Sequence, residues 1–196
     1  MIKRLFDITF SLLGLILLLP LLLIIAFLLK LESKGPVFYK QVRVGLNSTD
    51  FKIFKFRTMF LGSDRKGLLT LGNKDPRVTK VGYFLRKYKL DELPQLINVL
   101  IGNMSFVGPR PEVRKYVDLY SNSDLEILSV KPGITDYASI VYRNEAELLK
   151  GSNNPEELYI NTIMPKKIEL NKQYISSKNL IVDLKIIFKT LITIIK

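Results

Sequence analysis

The sequence predicts a mostly helical protein with a few short strands. A helix-break-helix membrane segment over residues 1–34 precedes one small cytosolic domain over residues 35–196, whose last element, over 180–195, is an amphipathic helix at the membrane interface. Three observations carry this. Residues 8–29 contain no charged side chain. Extended, β-prone stretches are confined to two short pieces between residues 37 and 57, whereas Leu93, Leu96, Ile97 and Leu100 recur at helical spacing. The whole chain has 196 residues, room for one core and little for a second.

The apolar run comes first. Its 22 residues extend about 33 Å as a straight helix, enough to cross a bilayer. It is longer than the apolar part of a secretory signal, and Lys30-Leu31-Glu32-Ser33-Lys34 offers no cleavage pattern. Pro20 near its centre removes a helical hydrogen bond and clashes with the preceding turn. Basic residues flank both ends, Lys3 and Arg4 before and Lys30 and Lys34 after, whereas a simple span concentrates them on the cytoplasmic side. A helix that enters, breaks at Pro20 and returns to the same face satisfies both observations; a single kinked span is the simpler alternative.

After Gly35-Pro36, residues 37–39 and 51–57 read as short extended pieces around a turn at Gly45-Leu46-Asn47. Residues 62–80, rich in Gly, Asp, Lys and Thr, read as a surface loop able to close over a ligand. Helices are expected over 81–88, 92–100, 112–120, 124–128, 155–163 and 165–175. Stiff turns fall at Gly108-Pro109-Arg110-Pro111 and Pro132-Gly133.

A formal net charge of +12 points to anionic partners: phospholipid headgroups, nucleotides, lipid phosphates or nucleic acid. The absence of cysteine and histidine excludes disulfides, thiol nucleophiles, Cys/His zinc sites and imidazole bases. Chemistry must rest on carboxylates, hydroxyls, Lys, Arg, Tyr and hard cations.

The densest constellation is Lys89-Leu90-Asp91-Glu92-Leu93-Pro94-Gln95-Leu96, followed by Gly108-Pro109-Arg110-Pro111-Glu112. Asp91 suits the N-cap of a helix, where it is either only a cap or a carboxylate facing a bound anion. A carboxylate can attack phosphorus directly if a magnesium ion and arginines neutralise the repulsion. Arg110, between two prolines, is either such a phosphate clamp or part of a rigid surface turn. Lys55, Arg57, Arg77, Lys80 and Arg86 are further phosphate-binding candidates or lipid-facing charges. Residues 131–137 and Arg143-Asn144-Glu145 have the mixed aromatic and polar character of a base or sugar pocket.

These motifs resemble the bacterial sugar transferase family, the monotopic polyprenyl-phosphate phosphoglycosyl transferases, in its short form. The residues that carry the likeness are the apolar segment with its central Pro, Phe54-Lys55-Phe56-Arg57-Thr58-Met59, Leu90-Asp91-Glu92-Leu93-Pro94-Gln95-Leu96, residues 103–111, and Lys131-Pro132-Gly133-Ile134-Thr135. The resemblance implies a re-entrant helix in the bacterial inner membrane and a magnesium-dependent ping-pong reaction on its cytoplasmic face, with manganese as an alternative ion. Asp91 would take the sugar phosphate from a UDP-sugar and release UMP, with Glu92 as its dyad partner, supporting the metal or proton transfer. Arg110, Arg86, Arg77, Lys55 and Arg57 would bind phosphate, and Thr135, Asp136, Tyr137, Arg143 and Asn144 would line the donor pocket. Polyprenyl (undecaprenyl) phosphate would be the acceptor and anionic lipids the surroundings, without nucleic acid and with a homo-oligomer left open. The product would begin a surface glycan.

Two departures stand out. Leu19-Pro20 replaces the family's frequent Ser-Pro, and Asp136-Tyr137-Ala138-Ser139 replaces Gly-Trp-Ala-Gln, which alters the donor pocket. The rival readings are a membrane-anchored basic adaptor for lipid or nucleic acid and a lipid-phosphate phosphatase.

Overall fold

A computed structural model describes residues 1–63, 69, 70, 72 and 75–195. Much of the loop expected over 62–80 lies outside those residues. The chain is mostly helical, with one long apolar helix α1 (Ile2–Glu32). Then come strands β1 (Phe38–Val44) and β2 (Asp50–Phe56), helices α2 (Lys80–Lys87) and α3 (Gln95–Ile101), and strand β3 (Ser105–Val107). Helix α4 (Arg114–Val117), strand β4 (Gly133–Thr135) and helices α5 (Tyr137–Val141), α6 (Glu145–Lys150), α7 (Pro155–Leu158), α8 (Met164–Ser177) and α9 (Leu180–Ile195) follow.

Helix α1 runs unbroken through Pro20, so the expected helix-break-helix is not what forms. A proline deletes one backbone hydrogen bond, and here the remainder of the helix is held from outside along its length. At its start Arg4 donates to the carbonyls of Val99 and Leu100 at the end of α3, and Lys3 pairs with Asp183. Buried Asp7 accepts from the Ser105 hydroxyl and the Phe106 amide. In the middle Gly14 lies against Leu96. At its end Ile25 and Leu29 pack on Phe56 and Leu85, and the Arg57 guanidinium donates to the carbonyls of Ser33 and Lys34. A cation there completes the carbonyls that a helix C-terminus leaves open. The opposite face of α1 stays apolar and exposed, as at Leu17 and Leu23.

The two N-terminal segments pair as expected. β1 and β2 form an antiparallel hairpin from Phe38↔Phe56 to Val44↔Asp50. Asn47 and Ser48 take up the positive φ that its turn requires. The parallel pairing of β3 with β4, Ser105↔Gly133 and Val107↔Thr135, was not read from the sequence because each strand is only three residues long. It requires glycine: a Cβ on Gly133 would stand 2.1 Å from the Gly108 nitrogen.

Residues 112–120 are helical only over α4, and 124–129 form a 3-10 turn. The helices expected over 155–163 and 165–175 merge into one run, joined by a π-helical turn over Tyr159–Ile163. Pro165 falls in the first turn of α8, where its missing N–H is tolerated. The main core gathers Val113, Tyr116, Ile127, Leu149, Tyr159, Ile163, Met164 and Ile168. In α9, Asp183 and Ile186 face inward, while Ile181, Phe188 and Leu191 are exposed.

Candidate active site

Asp91 does not cap a helix. It lies in a 3-10 turn over Leu90–Glu92 that precedes α3, and Lys89 before it adopts φ 56°. The cap reading therefore falls, because α3 starts only at Gln95, behind Pro94. This tight turn puts the two adjacent carboxylates in the wall of a cavity of about 870 Å³.

They sit there in opposite electrostatic states. Glu92 accepts from Lys55 Nζ at 2.9 Å and from both terminal nitrogens of Arg110, one at 3.0 Å. Burial disfavours its charge, but Arg110 and Lys55 outweigh burial and hold Glu92 well below the usual carboxylate range. Glu92 in turn keeps Arg110 firmly charged against its own burial. Lys55 is pulled below its ordinary value by burial, despite Glu92. Asp91 is only 7% exposed, and its Oδ1 has no hydrogen-bond partner among the described residues. Burial, and then the neighbouring Glu92 charge, push its carboxyl up, opposed by Lys55, Arg86 and Lys89. A buried carboxylate oxygen without a partner costs free energy that a bound group can relieve.

The other expected residues divide. Arg86 lines the cavity and donates only to the Thr70 hydroxyl at 2.9 Å, so among the described residues it has no carboxylate partner. Lys89, which no sequence motif marks as a phosphate ligand, also lines the cavity. Its position directly before the carboxylate pair was the one available signal. Arg57 and Arg77 line it too, but their guanidinium groups are engaged: Arg57 with the end of α1, Arg77 with Asp75 and the Leu69 carbonyl. These ties hold both side chains in place at the cavity wall. Arg110 is tied as well, since its fork is already closed on Glu92.

In the expected donor pocket, Thr135 and Arg143 line the cavity. The Thr135 hydroxyl meets that of Thr190 at 2.6 Å, and Arg143 reaches the Ile194 carbonyl at 3.4 Å, so α9 contributes a wall. Asp136 is fully buried and serves the scaffold: it accepts from the Arg110 amide at 3.1 Å and the Ser139 amide at 2.6 Å, capping α5 and fixing the Pro-Arg-Pro turn. Tyr137 and Asn144 are not among the residues lining the cavity.

No group of three or more acidic side chains gathers among the described residues. Magnesium needs only one or two carboxylates beside substrate phosphates. The free Asp91 oxygen fits that requirement. Both Glu92 oxygens already accept from cations, Oε1 from Lys55 and Arg110 and Oε2 from Arg110.

The family model described as bacterial sugar transferase matches residues 1–196. A UDP-N-acetylgalactosamine-undecaprenyl-phosphate N-acetylgalactosaminephosphotransferase of Aeromonas hydrophila is 41% identical over 200 residues, covering 99% of this chain and 44% of that protein. A UDP-glucose:undecaprenyl-phosphate glucose-1-phosphate transferase of Klebsiella pneumoniae is 43% identical over 192 residues, covering 96% of this chain and 39% of that protein. An uncharacterised sugar transferase of Bacillus subtilis, EpsL, is 39% identical and is covered over 85% of its length, with 96% of this chain. The chain thus spans less than half the length of the first two relatives.

Proposed function

As this chain belongs to the bacterial sugar transferase family, we propose that it moves a sugar 1-phosphate from a UDP-sugar to polyprenyl phosphate through a phospho-Asp91 intermediate. The observation that carries this reading is the buried, unpartnered Asp91 oxygen in a cavity ringed by Lys55, Arg86, Lys89 and Arg110. In the first half, an Asp91 carboxylate oxygen forms a bond to the phosphorus bearing the sugar, the bond to the bridging oxygen breaks, and UMP leaves with the electron pair. In the second, a phosphate oxygen of the lipid attacks the same phosphorus, the acyl-phosphate bond breaks, and the Asp91 carboxylate is restored. Arg86 and Lys89 hold the diphosphate. Glu92, locked in its charged form, orients Arg110 and Lys55 and transfers no proton. Bound with the diphosphate at Asp91, magnesium supplies further charge neutralisation, and manganese can replace it. The relatives of 41% and 43% identity are named for different sugars, so the likeness does not select the donor.

The test is UMP release from a panel of UDP-sugars by the purified protein in detergent with magnesium, with and without undecaprenyl phosphate. Turnover that depends on the lipid is expected. Inorganic phosphate released from the lipid phosphate without any donor would instead identify a phosphatase, and lipid binding with no turnover an adaptor.

The reaction places the protein in the bacterial inner membrane, and we propose that both ends of α1 lie on the cytoplasmic face. Lys3, Arg4 and Asp7 at one end and Glu32 with the Arg57-bound carbonyls at the other are all tied to one polar domain. A domain on one side of a bilayer cannot hold both ends of a helix that crosses it. Because the chain has no cysteine, single cysteines at positions 2 and 34 can be labelled without background. Both are expected to react with an impermeant maleimide in inverted vesicles and neither in spheroplasts; reaction of one from each side would establish a span.

Asp91 must be ionised to attack. Its raised carboxyl predicts that kcat/KM falls with acid at a pH above the ordinary aspartate value of 3.8. Arg86 opposes that rise, so Arg86→Met is expected to move the acid limb to higher pH. A limb that stays in place or moves down would show that Asp91 is not the group titrating.

A further inference from the structure

Besides the Asp91–Glu92 pair, the same cavity carries a second polar cluster that the reaction as described does not use. Glu112 and Tyr159 meet there, the tyrosine hydroxyl donating to Glu112 Oε1 at 2.9 Å. Lys167 donates to Glu145 Oε2 at 2.9 Å and lies 3.5 Å from the Tyr159 oxygen. Arg43 stands 3.9 Å from Glu112. All five line the cavity. Tyr159 opens the π-helical turn, a local distortion that recurs at functional sites and here presents its hydroxyl to the two charged pairs.

The charges of the two clusters differ. Around Asp91 and Glu92 stand four cations, Lys55, Arg86, Lys89 and Arg110, a surplus suited to a diphosphate. In the second cluster two carboxylates face two cations, so it has no surplus to attract an anion. What it offers is fixed donors and acceptors with unused capacity. Lys167 keeps a third N–H, and Glu145 Oε1 has no partner among the described residues. A neutral polyhydroxy ligand uses both kinds of group.

Position decides which neutral part of the donor fits. The sugar is bonded directly to the phosphorus that Asp91 attacks, whereas the nucleoside is one phosphate further away. Arg110, which is closed on Glu92, and Glu112 are separated by one proline, so their backbones are at most about 7 Å apart. The second cluster therefore adjoins the phosphate end: Glu112 follows Arg110 by two residues, and the Arg43 charge acts on Lys55 beside Glu92. We propose that Glu112, Glu145, Tyr159 and Lys167 form the subsite that reads the hydroxyl and acyl-amino groups of the transferred sugar. The inference rests on the reading of this chain as a UDP-sugar-dependent transferase.

The experiment compares wild type with Lys167→Met, and with Tyr159→Phe as the variant that keeps the buried ring. It measures lipid-dependent kcat/KM for UDP-glucose, UDP-galactose and their N-acetylamino counterparts, together with inhibition by UMP. The ratio between the preferred donor and its C4 epimer or N-acetyl counterpart is expected to change tenfold or more, with UMP inhibition within about twofold of wild type. Equal losses on every donor would overturn the proposal and leave the cluster a purely structural one. Weakened UMP inhibition with unchanged ratios would also overturn it, assigning the cluster to the nucleoside. If wild type releases UMP from none of the donors, the transferase reading itself fails; an active wild type with unaltered ratios in the variants sinks this inference alone.

Discussion

Asp91→Asn is expected to remove lipid-dependent UMP release from every UDP-sugar, by about ten-thousandfold or more, because a carboxamide cannot form the acyl-phosphate. The fold should survive the change. Asn matches Asp in shape, and the Asp91 Oδ1 that it alters makes no hydrogen bond among the described residues. The sign of the stability change follows from the raised carboxyl. Folding disfavours the charged form of Asp91, so at neutral pH its charge costs stability that Asn does not incur. The variant should therefore melt at the same temperature as wild type or higher, and that advantage should shrink as acid protonates the wild-type carboxyl. Inactive protein with raised stability is the pattern of a group retained for chemistry against its structural cost. Full activity in Asp91→Asn would remove the phospho-Asp91 mechanism, and a large drop in melting temperature would make the residue a structural one.

Arg110→Met should lower both stability and activity, for separable reasons. Glu92 is buried with its charge held by Arg110 and Lys55, and removing one partner of such a pair costs about 3 kcal/mol. The companion double variant Glu92→Met/Arg110→Met removes the stranded charge and should recover at least half of that loss in thermal unfolding. Activity should not return, since the cation facing the transferred phosphate is gone, a loss of roughly a hundredfold or more. Arg110→Lys keeps the charge but not the two-pronged geometry, and should fold while remaining at least tenfold impaired. Recovery of turnover in the double variant would show that Arg110 acts only by neutralising Glu92.

The site was legible in the sequence where it is local. Asp91 and Glu92 are adjacent, and Arg110 stands between prolines, so their types and spacing could be recognised without a fold. The hairpin, helices α2 and α3, and the apolar α1 were legible for the same reason: each follows from short-range periodicity and turn residues. Charge was legible, but its partners were not. Arg57 and Arg77 read as phosphate ligands, and only the fold shows one joined to the end of α1 and the other to Asp75. Lys3 and Arg4 read as membrane flanks, and the fold turned them onto α9 and α3. The second cluster was invisible because its members come from different elements. Glu112 and Tyr159 are 47 positions apart and meet only in the folded chain.

The sequence by itself determined the helical class, the membrane-seeking segment and the Asp91–Glu92–Arg110 constellation, because propensity, hydrophobicity and motif spacing act over a few residues. Only the tertiary structure decided that α1 stays continuous at Pro20, which of the two carboxylates is free, and which arginines are already engaged. Those outcomes depend on burial and on partners distant in the chain, and the free energy of a charge is set by what surrounds it once the chain has folded.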